Sequence, residues 1–169
     1  MPKTIFDHAA VEQALDRMAE AMRSDTVYLV GIQRGGAQVA DQLQARLEAV
    51  GCQVQRGDLD ISFYRDDLDT VGPNPEVRPS HLPFDLTAKS LWLVDDVLYT
   101  GRTIRAALGE IFDYGRPASV RLAVLLDRGG RQLPVQADVV GLCHVAGASE
   151  SVKLSTAGEW NIMLKQVQS

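Results

Sequence analysis

Apolar residues recur along this chain in two rhythms, one of helical spacing and one of short unbroken runs, and their alternation predicts most of the fold. Val11, Leu15, Met18 and Met22 share one face of a first helix, which Thr4 or Asp7 can cap. Residues 27–32 form a short apolar run suited to a buried strand. The turn Gln33-Arg34-Gly35-Gly36 breaks that run, and 37–50 returns to helical spacing with Val39, Leu43 and Leu47 on one face. A further strand is predicted over 57–64. Residues 65–84 carry four prolines and little periodicity, and read as a long flexible loop, a candidate lid. A strand and loop then occupy 90–103, and a helix runs to Tyr114 with Gly115 as its C-cap and Pro117 as its stop. Buried strands are predicted at 120–126, 138–143 and 160–167. Strand, Gly-containing turn, helix, strand is the grammar of a parallel α/β sheet, so the expectation is one domain over 1–169. The weaker pattern from 128 onward predicts a small cap.

Composition narrows the picture only modestly. At 169 residues the chain is long enough for one ordinary core, and 46% hydrophobic with 23% charged residues is a globular profile. Its apolar runs are too short to cross a bilayer and the N-terminus MPKTIFDH has no secretory pattern, so a cytoplasmic protein is expected. Cys52 and Cys143 are too few for a disulfide framework or a zinc site. The net charge of −5 repels nucleic acid unless basic residues gather on one face.

The chemistry is concentrated in LWLVDDVLYTGRT at 91–103. An apolar strand ends in Asp95 and Asp96, and Tyr99-Thr100-Gly101-Arg102-Thr103 leads into a helix. Hydroxyls, a guanidinium and clustered backbone N–H groups at a helix N-terminus favour a phosphate. Two carboxylates at a strand's carboxyl end can accept hydrogen bonds from vicinal ribose hydroxyls or help hold a hydrated Mg²⁺. An acidic pair before a helix is also common in open sheets without function, but the whole string suits both ends of a phosphorylated ribose. It lacks the spacing of a nucleoside triphosphate loop or a dinucleotide fingerprint. The turn after the first core strand adds amides and the Arg34 guanidinium beside Gly35, which can grip diphosphate; its bland alternative is a tight strand-to-helix turn. His8, His81 and His144 are isolated and no nucleophilic triad is evident.

The string VDDVLYTGRT resembles the phosphoribosyl diphosphate (PRPP) signature of type I phosphoribosyltransferases. Together with ISFYRDDL at 61–68 and LAVLLDRGGRQLPVQAD at 122–138, it resembles the PyrR family in particular, bacterial pyrimidine operon regulators with uracil phosphoribosyltransferase activity. The resemblance implies a parallel sheet flanked by helices with a small cap, or hood, over the site. It implies that Asp95, Asp96, Val97, Leu98, Tyr99, Thr100, Gly101, Arg102 and Thr103 hold PRPP, and that 33–36 is the pyrophosphate loop. It further implies that Arg65 reaches the diphosphate, that Arg128 belongs to the nucleotide site with Asp127 near metal or diphosphate, and that Val152 covers the base. Asp95, Asp96, Arg65 and Asp127 are therefore the candidate catalytic residues. Asp95 and Asp96 serve Mg²⁺ indirectly, through PRPP or water.

Two functions follow from the resemblance. One is Mg²⁺-dependent transfer of phosphoribose from PRPP to uracil, giving UMP. The other is UMP-dependent binding of pyrimidine operon leader mRNA, for which Arg17, Arg23, Arg46, Arg116, Arg121 and Arg131 are candidate contacts, although QADVVGLCH offers no Lys or Arg. A transferase without RNA binding, or one acting on a purine or orotate, stands as the alternative. Relatives of this kind form homodimers or higher assemblies, and the same is expected here.

Overall fold

The computed structural model describes residues 1–61 and 80–168. The elements run β1 (Lys3–Phe6), α1 (His8–Met22), β2 (Thr26–Ile32), α2 (Gly35–Ala49), β3 (Gln53–Leu59), β4 (Ser90–Leu98), α3 (Arg102–Tyr114), β5 (Ser119–Asp127), β6 (Val139–Cys143), β7 (Glu150–Ser155) and β8 (Asn161–Gln166). β3-β2-β4-β5-β6 form a five-stranded sheet, parallel throughout, and β1-β8-β7 form a small antiparallel sheet. Among the described residues no helix is long and apolar enough to cross a membrane.

Alternation along the strands decides which helices cover which face. Leu29 of β2 and Trp92 and Val94 of β4 point to one side, where Val11, Leu15 and Met18 of α1 and Val39, Leu43 and Leu47 of α2 are buried against them. Val30, Ile32, Leu91 and Leu93 point to the other, against Ile104, Ala107 and Ile111 of α3. The two faces are covered by different helices because the winding reverses. From β2 the chain steps outward to β3, then returns to place β4 on the far side of β2, and right-handed crossovers in opposite directions put α2 and α3 on opposite faces. A crevice opens at the carboxyl ends of β2 and β4, where such sheets bind ligands.

Most boundaries agree with the periodicity to within a few residues, and the exceptions are instructive. Asp7, rather than Thr4, caps α1 by accepting from the Ala10 N–H at 2.9 Å, while Thr4 lies in β1. β3 begins at Gln53, ahead of the expected start at 57, because its first residues pair with β2 from Thr26 onward. The sequence pattern predicts neither β1 nor β7: β1 pairs with β8, far away in sequence, and β7 has one buried residue, Leu154, and so little apolar signal. Of the expected loop 65–84, residues 65–79 lie outside the described residues. Of the remaining five, Ser80 and His81 are tied down: Asp58 and His81 exchange backbone hydrogen bonds of 2.8 Å, and the Ser80 hydroxyl accepts from the Asp60 N–H at 3.0 Å and donates to Glu110 at 3.1 Å.

Candidate active site

Two turns meet at the switch point. The first follows β2: Gln33 and Arg34 lead directly into α2 at Gly35. A Cβ on Gly35 would fall 2.0 Å from Oδ2 and 2.4 Å from Cγ of Asp96, and one on Gly36 would fall 2.4 Å from the Val94 carbonyl oxygen and 3.0 Å from Cα of Asp95. Only glycines let the start of α2 lie directly on the acidic end of β4. Arg34 is exposed beside this contact. An open cavity of about 330 Å³ runs along the outer side of the turn, lined by Gln33, Arg34, Gln38, Asp41, Arg56 and Asp58.

The second follows β4, whose carboxyl end carries the acids. Asp95 is only 4% exposed, and its Oδ1 accepts the Asp96 N–H at 2.9 Å; Asp96 is half-buried and accepts the Val97 N–H at 2.8 Å. Hydrogen-bonding of this kind is what makes a desolvated carboxylate tolerable. Val97 is half-buried and Leu98 buried, so any contact from them to a ligand runs through backbone. Gly101, at φ +96°, takes the left-handed conformation that ends the turn and starts α3, and a Cβ there would lie 3.1 Å from the Val135 side chain. Thr100 Oγ1 accepts from the Arg102 N–H at 3.2 Å, an ST-type turn at the helix N-terminus, with Thr103 half-buried one residue further on. The helix dipole is thus aimed at the place where the sequence expects a phosphate.

Residues 127–133 hold that turn from the other side. Backbone N–H groups of Gln132 and Leu133 donate to the Thr100 carbonyl at 3.0 and 3.1 Å, and Arg102 Nε donates to Gln132 Oε1 at 3.2 Å. Arg131 donates through Nη1 to the Tyr99 carbonyl at 2.7 Å and through Nη2 to Asp127. The other Asp127 oxygen accepts the Gly129 N–H at 2.9 Å, so both oxygens of this candidate catalytic acid are engaged inside its own turn. Arg128 is 4% exposed. Its guanidinium carbon lies 3.7 Å from the centroid of the Tyr99 ring, while Nη1 and Nη2 donate to the carbonyls of Glu150 and Gly147, both at 3.0 Å. Val152, half-buried, follows two residues along β7 and pairs with Leu164 of β8.

The structure therefore gathers Gly35, Asp95, Asp96, the 97–103 turn, Asp127 and Arg128 at one edge of the sheet, with β7 linked to it through Arg128. Arg65 lies outside the described residues. Arg131 and Gln132 join the site without being expected there; the Arg-Gly-Gly-Arg-Gln spacing at 128–132 is the available signal, whereas Arg131 is expected on a basic surface. The arginines expected on that surface are placed on several elements. Arg131 is engaged at the carboxyl end of β5, and Arg121 lies near its other end, ~20 Å away at the rise of a strand. Arg46 is held by Glu12 and Asp16, Arg23 by Glu20, and Arg17 by the Gly141 carbonyl.

Residues 2–155 match the family model of the phosphoribosyl transferase domain, and the chain belongs to that family. Its relatives are more particular. It is 52% identical over 139 residues to the bifunctional protein PyrR of Nitrosococcus oceani, covering 82% of this chain and 77% of that one. It is 45% identical over 147 residues to the bifunctional protein PyrR of Elusimicrobium minutum, covering 83% and 82%. Among solved structures, the hypoxanthine phosphoribosyltransferase of Trypanosoma cruzi superposes with a TM-score of 0.73 at 17% identity, over 98% of this chain and 97% of that one, a likeness of fold.

Proposed function

We propose that this protein transfers the phosphoribosyl group of PRPP to uracil, giving UMP and diphosphate, and that its UMP-bound form regulates the pyrimidine operon by binding leader mRNA. The relationship to bifunctional PyrR proteins supports both halves. The observation that carries the enzymatic half is the contact of the Gly35-Gly36 turn with Asp95 and Asp96 at the switch point of the sheet. It brings amides for a departing diphosphate next to acceptors for ribose hydroxyls. The 99–103 turn and α3 then take the 5′-phosphate.

Ribosyl transfer proceeds through an oxocarbenium-like state, by analogy with glycoside chemistry, so the largest demand is to stabilise the leaving diphosphate. Arg34 and the amides at the start of α2 supply that stabilisation. Asp95 and Asp96 fix the sugar by its hydroxyls, and Val152 covers the base. Asp127 shapes this edge of the site; direct work on metal or diphosphate would require its release from Arg131. Among the described residues no group of three or more His, Cys, Asp or Glu side chains could hold a metal ion. The donor set, two carboxylates, fits a Mg²⁺ that completes its oxygen shell with PRPP and water, and the ion would supply charge neutralisation of the diphosphate. A cytoplasmic location and a homodimeric or higher assembly complete the reading.

Incubation with PRPP, Mg²⁺ and a panel of bases tests it. UMP from uracil is expected, and turnover of hypoxanthine or orotate without uracil would overturn the assignment. A second reading, transferase without RNA binding, is favoured by the net charge of −5 and by the engagement of Arg46 and Arg131 with carboxylates of the chain. A gel shift of pyrimidine leader RNA that depends on UMP supports regulation; no shift leaves the enzyme alone.

A further inference from the structure

The hood and the phosphate turn come from distant parts of the chain, yet one buried side chain spans them. Arg128 follows β5 directly, and its own N–H donates to the Leu98 carbonyl at 3.1 Å, which anchors its backbone to the last residue of β4. Its guanidinium lies over the Tyr99 ring, and both of its terminal nitrogens reach carbonyls of the segment entering β7, those of Gly147 and Glu150. Tyr99 is held against it. A Cβ on Gly130 would lie 2.4 Å from Tyr99 Cε1, so the glycine backbone abuts the ring, and Arg131 fixes the Tyr99 carbonyl. The hood end is equally defined, because Glu150 Oε2 accepts the Gly147 N–H at 2.8 Å and closes the turn that Arg128 grips. Among the described residues Arg128 Nε is buried without an acceptor. A guanidinium buried on two neutral carbonyls and an aromatic face is expensive to desolvate, even with the Glu150 carboxylate close enough to feel its charge.

We infer that Arg128 is a positioning residue that couples the sugar-phosphate turn to the base-covering strand, with Tyr99 as its contact on one side and the entry to β7 as its contact on the other. This inference rests on the reading that β7 covers the base. Any ligand that orders 99–103 restrains Tyr99, hence the guanidinium, hence the register of Val152 over the base. The link is mechanical and short: Val152 is two residues beyond the gripped Glu150 carbonyl.

The decisive comparison uses Tyr99→Leu and Tyr99→Phe, with Arg128→Lys as a second way of loosening the clamp. Tyr99→Leu removes the stacked face but keeps both Arg128–carbonyl bonds, so the fold survives. The expected result, measured at saturating PRPP so that any loss of PRPP affinity at this residue does not enter, is a KM for uracil raised about 10-fold or more, of the order of a desolvated cation–π contact. Tyr99→Phe restores the wild-type values. Hydrogen exchange adds a reading that needs no turnover: PRPP with Mg²⁺ should slow amide exchange over 147–154 in the unsubstituted chain and in Tyr99→Phe, but not in Tyr99→Leu that still binds PRPP. An unchanged KM for uracil, or protection of 147–154 that persists in Tyr99→Leu and Arg128→Lys, overturns the clamp. Failure of the unsubstituted chain to bind PRPP at all would instead overturn the functional reading on which it rests.

Discussion

Replacing Gly35 by alanine adds one methyl group at the point where the diphosphate turn touches the acidic pair. Its Cβ would stand 2.0 Å from Asp96 Oδ2, 2.4 Å from Cγ and 3.0 Å from Cβ of the same residue. Contacts below 3.0 Å are not sustained, so the closest pair must separate by about 1 Å, the difference between 3.0 and 2.0 Å. Rotation of the carboxylate gives only partial relief, because Asp96 Oδ1 is bonded to the Val97 N–H and the contact reaches back to Cβ. Overpacking of this size costs ~1–3 kcal/mol, offset by ~0.5–1 kcal/mol because alanine is the better helix residue. The net loss of stability is therefore about 0–2.5 kcal/mol, a fall of up to roughly 10 °C in Tm for a domain of this size. The functional loss is larger, since displacement by ~1 Å of a group that aligns a reacting centre costs ~100-fold in rate. Initial rates with PRPP varied at saturating uracil, paired with thermal unfolding, separate the two effects. If Gly35→Ala leaves kcat/KM for PRPP within 2-fold and Tm unchanged, the turn and the acids do not touch and the assembly of the site argued above is wrong. In an Asp96→Ala background the carboxylate is gone and only the 3.0 Å approach to Cβ remains, so most of the cost in Tm should disappear.

Asp96→Asn keeps the shape and removes the charge, and is expected to weaken PRPP binding by ~10-fold or more with Tm unchanged, measured by calorimetry; full affinity would remove Asp96 from the sugar site. Thr100→Val deletes the hydroxyl that accepts the Arg102 N–H and faces the phosphate position, so the KM for PRPP should rise several-fold while Thr100→Ser stays near wild type; equal values for both variants would leave the binding to backbone alone. The Glu150 carboxyl is held below its ordinary value of 4.5 by the Gly147 N–H first, then by Gln166 and by the charges of His144 and Arg128, against a smaller opposing effect of desolvation. A carboxyl with a depressed folded-state pKa stabilises the native chain above the unfolded value, and that contribution is lost as pH falls through the folded one. Glu150→Gln should therefore lower Tm at neutral pH, with the difference from wild type closing below about pH 4.5; a difference independent of pH would refute the ionic role.

Much of this was legible in the residues, and what was not has a common cause. The parallel core could be read because each element announces itself locally, through unbroken apolar runs in β2 and β4 and through helical spacing in α1 and α2. The acid pair and phosphate turn could be read because thirteen consecutive residues carry them. By contrast, β1 is four exposed or half-buried residues whose partner β8 lies near the other end of the chain, and no local pattern reveals such pairing. The Gly35–Asp96 contact joins residues 61 positions apart, and a glycine's identity does not say what it must approach. The engagement of Arg131 in this turn is hidden for a similar reason. A guanidinium in sequence looks the same whether it faces solvent or is spent on Asp127 and the Tyr99 carbonyl.

The order of the small sheet, β1-β8-β7, has a consequence for how the protein comes into being. Its middle strand is the last of the three to leave the ribosome, so residues 3–6 and 150–155 have no hydrogen-bonding neighbour until 161–166 have been made. The five-stranded core is fully synthesised by Cys143 and can assemble first. A nascent chain halted just before Asn161 would carry the parallel sheet with the acidic end of β4 in place, while β1 and β7 still waited for their shared neighbour.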